Sequence, residues 1–281
     1  MRIDSHQHFW TRARGDYGWL TPQLAQIYRD FDPHDLVPLL GRHNIERTIL
    51  VQAAPTVAET QFMLAIAART PFVAGVVGWV DFEAKNAPDV IAELASDQLL
   101  VGLRPMVHDI ADDDWLLRSD LTPAFAALKS HRLVFDALVR PRHLPRLLAL
   151  IEQHPDLPIV VDHAGKPFIR ERKLDPWWAD ITVIAAHPHI VCKMSGLVTE
   201  AAANWTVDDL KPYVTHLLET FGPQRLLWGS DWPVVDLAGG YDRWCEATMA
   251  LLRDLSDSDR EAIFGNNAAC VYLKERGRSS C

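Results

Sequence analysis

Along the chain, short runs rich in Val, Ile and Leu alternate with longer stretches in which apolar residues return every three or four positions. The short runs are Arg2–His6, Arg47–Gln52, Val73–Val80, Leu100–Arg104, Leu133–Ala137, Pro158–His163, His189–Met194 and Leu226–Asp231. Most are nearly continuously apolar, the pattern of strands buried on both faces, as in a parallel sheet covered by helices. Eight such units in 281 residues average about 35 residues each, enough for a strand, a crossover helix and two loops. The expectation is one α/β domain over residues 1–281, a (β/α)8 TIM barrel with room for distortion where its first loop is long.

The intervening segments carry helix signals. Asp32-Pro-His-Asp opens one helix with a capping aspartate and a proline in the first turn, and Thr56–Arg69 has apolar residues at helical spacing. Asn86–Ala95, Thr122–Leu128, Pro141–His154, Pro176–His187, Asp208–Phe221 and Asp242–Leu255 supply the later crossovers. A capped helix from Ser256 to Gly265, a short one over Asn266–Leu273 and a polar tail, Lys274–Cys281, expected to fray, complete the chain. The connection from Phe9 to Asp30 is long and holds Trp10, Tyr17, Trp19 and Tyr28. Such a loop either folds over the barrel mouth as a lid or is stapled to the surface by its aromatics.

In a barrel of this kind chemistry collects at the C-terminal ends of the strands. Those ends offer His6 and His8, Gln52, Trp79 with Asp81, Arg104, Asp136, His163, Lys193 with Ser195, and Asp231. Residues two apart in a strand share a face, so His6 and His8 set two imidazoles side by side. The pair suits Zn²⁺ or another borderline divalent ion, or it orients a carbonyl by hydrogen bonding. A bare His-x-His is as readily one loop cap and one core histidine. His163 and Asp231 each end an apolar run where a buried strand meets a loop. Taken alone, each is more often structural; on one rim with His6 and His8 they bring three imidazoles and a carboxylate together.

Composition narrows the partners. A net charge of −9 without a Lys/Arg cluster argues against nucleic acid and anionic membranes, leaving a small molecule as the expected partner. No window approaches the ~18 uninterrupted apolar residues of a membrane span. Met1 leads within two residues into a strand with no secretory pattern, so the expected setting is the cytoplasm. Cys192, Cys245, Cys270 and Cys281 form no C-x-x-C, which argues against a zinc ribbon and a disulfide framework.

Four motifs, Ile3-Asp-Ser-His-Gln-His-Phe-Trp, Asp162-His-Ala-Gly-Lys-Pro, Trp228-Gly-Ser-Asp-Trp-Pro and Ile263-Phe-Gly-Asn-Asn-Ala, occur in order along the chain. Together they resemble the amidohydrolase superfamily, and within it the sugar-lactonase branch of L-fuconolactonase- and L-rhamnonolactonase-type enzymes, related to 2-pyrone-4,6-dicarboxylate lactonase. The resemblance implies hydrolysis of a sugar-acid lactone, L-fucono-lactone or a related aldonolactone, in carbohydrate breakdown. It carries over His6, His8, His163 and Asp231 as the rim set, holding one divalent ion, Zn²⁺ by preference. Binuclear relatives bridge two metals from the fourth or fifth strand, whereas here those strands end in Leu103-Arg104-Pro105 and Leu133-Val-Phe-Asp-Ala-Leu. A two-metal site is therefore not expected.

For a lactone, Asp231 is the expected base, His163 positions the carbonyl, and Arg104 with the imidazoles, or a metal on them, stabilises the oxyanion. The ester is activated relative to an amide, so it does not require a second metal, and both a one-metal and a metal-free site stay open. Trp10, Tyr17, Gln52, Trp79, His108, Lys166 and Trp232 are the candidates for the sugar hydroxyls. Rival readings are a metal-dependent decarboxylase of an aromatic acid and a pyrone-dicarboxylate lactonase; the latter needs several cations around two carboxylates.

Overall fold

The computed structural model describes residues 1–273. Eight parallel strands, β1 (Ile3–Gln7), β2 (Arg47–Val51), β3 (Val73–Gly78), β4 (Leu100–Leu103), β5 (Val134–Ala137), β6 (Ile159–Val161), β7 (Val191–Met194) and β8 (Leu226–Trp228), pair in sequence order. The ring closes where Gln7 bridges Trp232 and the His8 amide donates to the Trp232 carbonyl at 2.7 Å. The crossover helices are α1 (Pro33–His43), α2 (Val57–Ala67), α3 (Ala87–Leu94), α4 (Thr122–His131), α5 (Leu144–Gln153), α6 (Trp177–Ala185), α7 (Val207–Phe221) and α8 (Gly240–Leu251). This is the (β/α)8 barrel that the apolar runs predict. Asp32 starts α1 as expected, its side chain accepting from the His34 amide at 2.7 Å while Asp35 reaches back to the Asp32 amide at 3.0 Å.

Apolar burial is split into two layers. The larger lies between sheet and helices. The smaller, including Ile3, Ile49, Val51, Val77, Val134, Val160 and Leu227, fills the barrel and is joined by Ala268 and Tyr272 from near the chain end. The chain end differs from the expectation of two separate helices. The helix α9 (Asp257–Glu261) runs through a wide π turn (Ala262–Asn266) directly into α10 (Asn267–Tyr272). Gly265 does not stop the helix: a Cβ there would overlap the Met1 carbonyl, so glycine allows the helix to pass against the chain start. The predicted polar tail, Lys274–Cys281, lies outside the described residues. Among those described, no helix is long and apolar enough to cross a membrane, and the thiols of Cys192 and Cys245 are free and buried.

Five of the strands, β2, β3, β4, β6 and β8, end earlier than the apolar runs. Gln52, Arg104, His163 and Asp231 sit just past β2, β4, β6 and β8. At His163, Ala164, Lys166 and Asp231 the backbone turns left-handed, with φ of 50°, 52°, 54° and 58°. Such turns leave the hydrogen-bonded ladder and re-aim side chains over the mouth.

Candidate active site

The position of the histidine pair depends on an irregularity in β1. Ile3 points into the barrel, and regular alternation would then turn His6 outward. The pairing of β1 with β2 slips between Asp4 and Gln7, so Asp4 faces the Tyr241 hydroxyl of α8 while His6 and His8 face inward. Asp4 also accepts from the amides of His6 at 3.1 Å and Ser230 at 2.8 Å, tying this bulge to the loop that carries Asp231.

The four rim residues meet around one point. Asp231 Oδ1 lies 3.3 Å from His8 Nε2, 3.6 Å from His6 Nε2 and 4.0 Å from His163 Nε2. Each imidazole is oriented through its other nitrogen or by a neighbour. His8 Nδ1 donates to the Val51 carbonyl at 2.7 Å, and His163 Nδ1 meets Ser195 Oγ at 2.8 Å. His6 Nε2 accepts from Arg104 Nη1 at 3.3 Å, leaving Nδ1 to face Asp162 Oδ1 at 3.3 Å. The ring of His163 packs so closely on Gly196 that a Cβ there would stand 2.5 Å from Nδ1.

Electrostatics set complementary protonation states. Burial pushes His6 and His163 well below the ordinary histidine range, so both are neutral near pH 7. Burial also pushes the Asp231 carboxyl up, but His163, His8 and Lys166 together outweigh it and hold it below the ordinary aspartate range. Asp231 is therefore an ionised acceptor at the centre of the rim.

Beneath this rim lies a buried ionic network. Lys193 Nζ reaches Asp136 Oδ2 at 2.5 Å and Asp162 Oδ1 at 3.1 Å. Arg104 Nη1 donates to Asp162 Oδ2 at 3.0 Å, and the Tyr272 hydroxyl of α10 donates to Asp136 at 2.8 Å. Two cations balance two carboxylates, which makes their complete burial tolerable. The Arg104 backbone is held as well: its carbonyl accepts from Gln52 Nε2 at 2.7 Å, and its Nη2 donates to the Gln52 carbonyl.

The cavity above these groups, about 220 Å³, is lined by His8, Trp19, Ala53, Arg104, Met106, His108, Asp109, Leu138, His163, Lys166, Asp231 and Val234. Of the residues read from the sequence, the structure brings His8, Arg104, His108, His163, Lys166 and Asp231 to its wall, with His6 immediately beneath. It does not bring the others there. Trp10 is fully buried against Tyr17, Trp19 and Phe31, its indole donating to the Arg29 carbonyl at 2.8 Å. Tyr17 is buried in the same loop, and Trp232 packs on Phe9 and Phe31. Gln52 faces Arg104, and Trp79 lines a neighbouring cleft with Asp81 and Trp115. Trp19 is the loop aromatic that reaches the cavity, its indole fastened to the Ala53 carbonyl at 2.6 Å. Sequence offers no signal separating Trp19 from Trp10, since the difference lies in how the loop closes on itself at the Trp10–Phe31 bridge.

The donor set fits a single divalent cation. One atom each from His6, His163 and Asp231 lies within 4.8 Å of the others. His8 Nε2, its Nδ1 already a donor, presents a lone pair to a carboxylate oxygen 3.3 Å away, an arrangement that favours a cation or a proton between them. Because Arg104 uses the lone pair of His6 Nε2, that hydrogen bond and an ion on the same nitrogen exclude one another.

A closed parallel barrel with an ionised carboxylate and three imidazoles at its C-terminal mouth has the parts of an acid–base or metal-assisted enzyme site. The chain belongs to the amidohydrolase family, whose profile, described as Amidohydrolase, matches residues 3–273. It is 47% identical over 282 aligned residues, 98% of this chain and 97% of the other, to an L-fucono-1,5-lactonase of Burkholderia ambifaria. An L-fucono-1,5-lactonase of Burkholderia multivorans is 38% identical, over 97% of this chain and 96% of its own. A crystal structure of an amidohydrolase from Burkholderia multivorans with bound Zn superimposes with a TM-score of 0.91 at 37% identity, covering 98% of this chain and 100% of that one.

Proposed function

We propose that this protein hydrolyses a sugar-acid lactone, with L-fucono-1,5-lactone the first candidate, to the open-chain aldonate. The observation that carries the reading is the full-length 47% identity to an L-fucono-1,5-lactonase. The site geometry supplies the chemistry. Asp231, ionised and at the cavity wall, takes a proton from the attacking water and returns it to the ring oxygen as the carbon–oxygen bond breaks. Arg104, its position locked by Asp162 and Gln52, donates N–H groups to the carbonyl oxygen as charge develops. His163 orients the carbonyl, and His108, Lys166 and Trp19 meet the sugar hydroxyls and ring face. Trp19 reaches the cavity from the loop after β1, which acts as a fixed lid in this reading.

His6, His8, His163 and Asp231 would hold one Zn²⁺, which when bound supplies Lewis-acid polarisation of the carbonyl. The chain's own donors are sufficient for an activated ester, so turnover persists after chelation at reduced rate. A pyrone dicarboxylate fits less well, because Arg104 and Lys166 are the cations at the cavity and Lys166 is committed to Glu200 at 2.6 Å. A cytoplasmic setting goes with the proposal.

The test is the initial rate of acid release, read by a pH indicator and corrected for spontaneous opening, over aldonolactones of the fucono and rhamnono series, before and after chelation. Rapid opening of one series is expected. Folded protein that opens none of them would overturn the reading and make CO₂ release from aromatic acids the next assay.

A further inference from the structure

Beside the catalytic cavity, the mouth carries a second concavity that the chemistry above does not use. It is a groove of about 340 Å³ formed by the loops after β5, β6 and β7 and walled chiefly by Arg140, Arg142, Lys166, Phe168, Arg170 and Glu200. In a chain of net charge −9 it is a local reversal of sign, with four cations against the carboxylates of Glu171 and Glu200. Two of the cations are occupied: Lys166 pairs with Glu200 at 2.6 Å, and Arg142 with Asp113 at 2.7 Å. Arg140 and Arg170 are not. Each donates only through Nε, to the carbonyls of His108 at 3.3 Å and Ala201 at 3.4 Å, and neither forms an ion pair among the described residues. Their Nη groups remain as two planar donor forks, the geometry that takes a carboxylate at two points. The exposed ring of Phe168 adds an apolar face for the C–H side of a sugar chain. Lys166 lines both the groove and the catalytic cavity.

We propose that this groove is an exit site for the sugar-acid product, with Arg140 and Arg170 receiving its carboxylate. The inference rests on the lactonase reading. Hydrolysis turns a neutral ring into an anion in a cavity whose wall carries the side-chain carboxyl groups of Asp109 and Asp231. Lys166 is the cation at the boundary, and the two free forks lie beyond it. A neutral lactone gains little from those charges and its carboxylate product gains much, so the groove separates product from substrate by charge.

The experiment compares the parent protein with the Arg140→Gln/Arg170→Gln variant, after matched circular dichroism and melting. L-fuconate is titrated calorimetrically and added as a product inhibitor of lactone hydrolysis. The expected result is about a tenfold weaker groove affinity and product inhibition in the variant, with the lactone KM unchanged. High salt should weaken fuconate binding in the parent to the same level. A parent that opens the lactone but binds fuconate equally with and without the two arginines overturns the exit site alone. A parent that binds fuconate through these arginines but opens no lactone overturns the lactonase reading, and the exit role with it.

Discussion

Replacing Asp231 by Asn tests the proposed chemistry most directly. The residue sits at φ 58°, a left-handed conformation that Asn adopts nearly as readily as Asp and Ala does not, so the turn after β8 should survive. The backbone amide keeps its bond to the His6 carbonyl at 2.8 Å, and the amide side chain keeps the shape of the carboxylate. What disappears is the negative charge 3.3 Å, 3.6 Å and 4.0 Å from the three imidazole nitrogens and the ability to take a proton. Positioned acid–base catalysis contributes roughly 10²–10⁴-fold, equivalent to about 3–5 kcal/mol of barrier. The expectation is a fall in kcat of that size with KM changed less than threefold and the far-ultraviolet spectrum unaltered. Stopped-flow or indicator assays on the best lactone, with spontaneous hydrolysis subtracted, read this directly. Because the parent carboxyl lies below the ordinary aspartate range, its rate should be flat from neutral pH down to about pH 5 and fall only on further acidification. Parental kcat in the Asn variant would refute the assignment of the base.

Three further changes probe what supports the site. Lys193→Met leaves Asp136 and Asp162 buried without their ammonium partner, and denaturant unfolding should show a loss of about 3–5 kcal/mol; a loss below about 1 kcal/mol would mean that the network is not ionic. Gly196→Ala places a methyl against the His163 ring at a φ of 61°, so activity should drop at least tenfold while the fold melts only slightly lower; unchanged kinetics would remove His163 from the mechanism. Glu59, fully buried, is pushed up to about 7 by burial despite accepting from the Ala53 and Ala54 amides. Its folded form resists ionisation, so the parent has its full stability below pH 4.5 and loses about 3 kcal/mol as pH rises through about 7. In Glu59→Gln that slope is absent, and the melting temperature of the variant relative to the parent should rise between pH 5 and pH 8; a constant difference would contradict it.

The barrel was legible because its signal is local. A buried parallel strand must be apolar throughout, and a helix on its outside must repeat its apolar face every three to four residues, so Val73–Gly78 or Val207–Phe221 can be recognised without knowing any contact. The same holds for the Asp32 cap and for His6, His8, His163 and Asp231, each set where an apolar run meets a loop. Gly265 was misleading, since a glycine that ends a helix and one that permits close passage of the chain start look alike in sequence.

Other features depend on residues far apart in the chain. Which face of β1 carries the histidines follows from a slipped register against β2, and whether Trp10 or Trp19 sees the cavity follows from the way one loop closes on Phe31. The salt network joins Arg104, Asp136, Asp162, Lys193 and Tyr272 across five separate segments, and the free forks of Arg140 and Arg170 share a groove only because three loops converge. The sequence by itself determined the periodicities, and therefore the elements and the rim to which each chemical group belongs. The tertiary structure decided which of those groups meet, because burial and charge at a point are set by every chain segment that packs there.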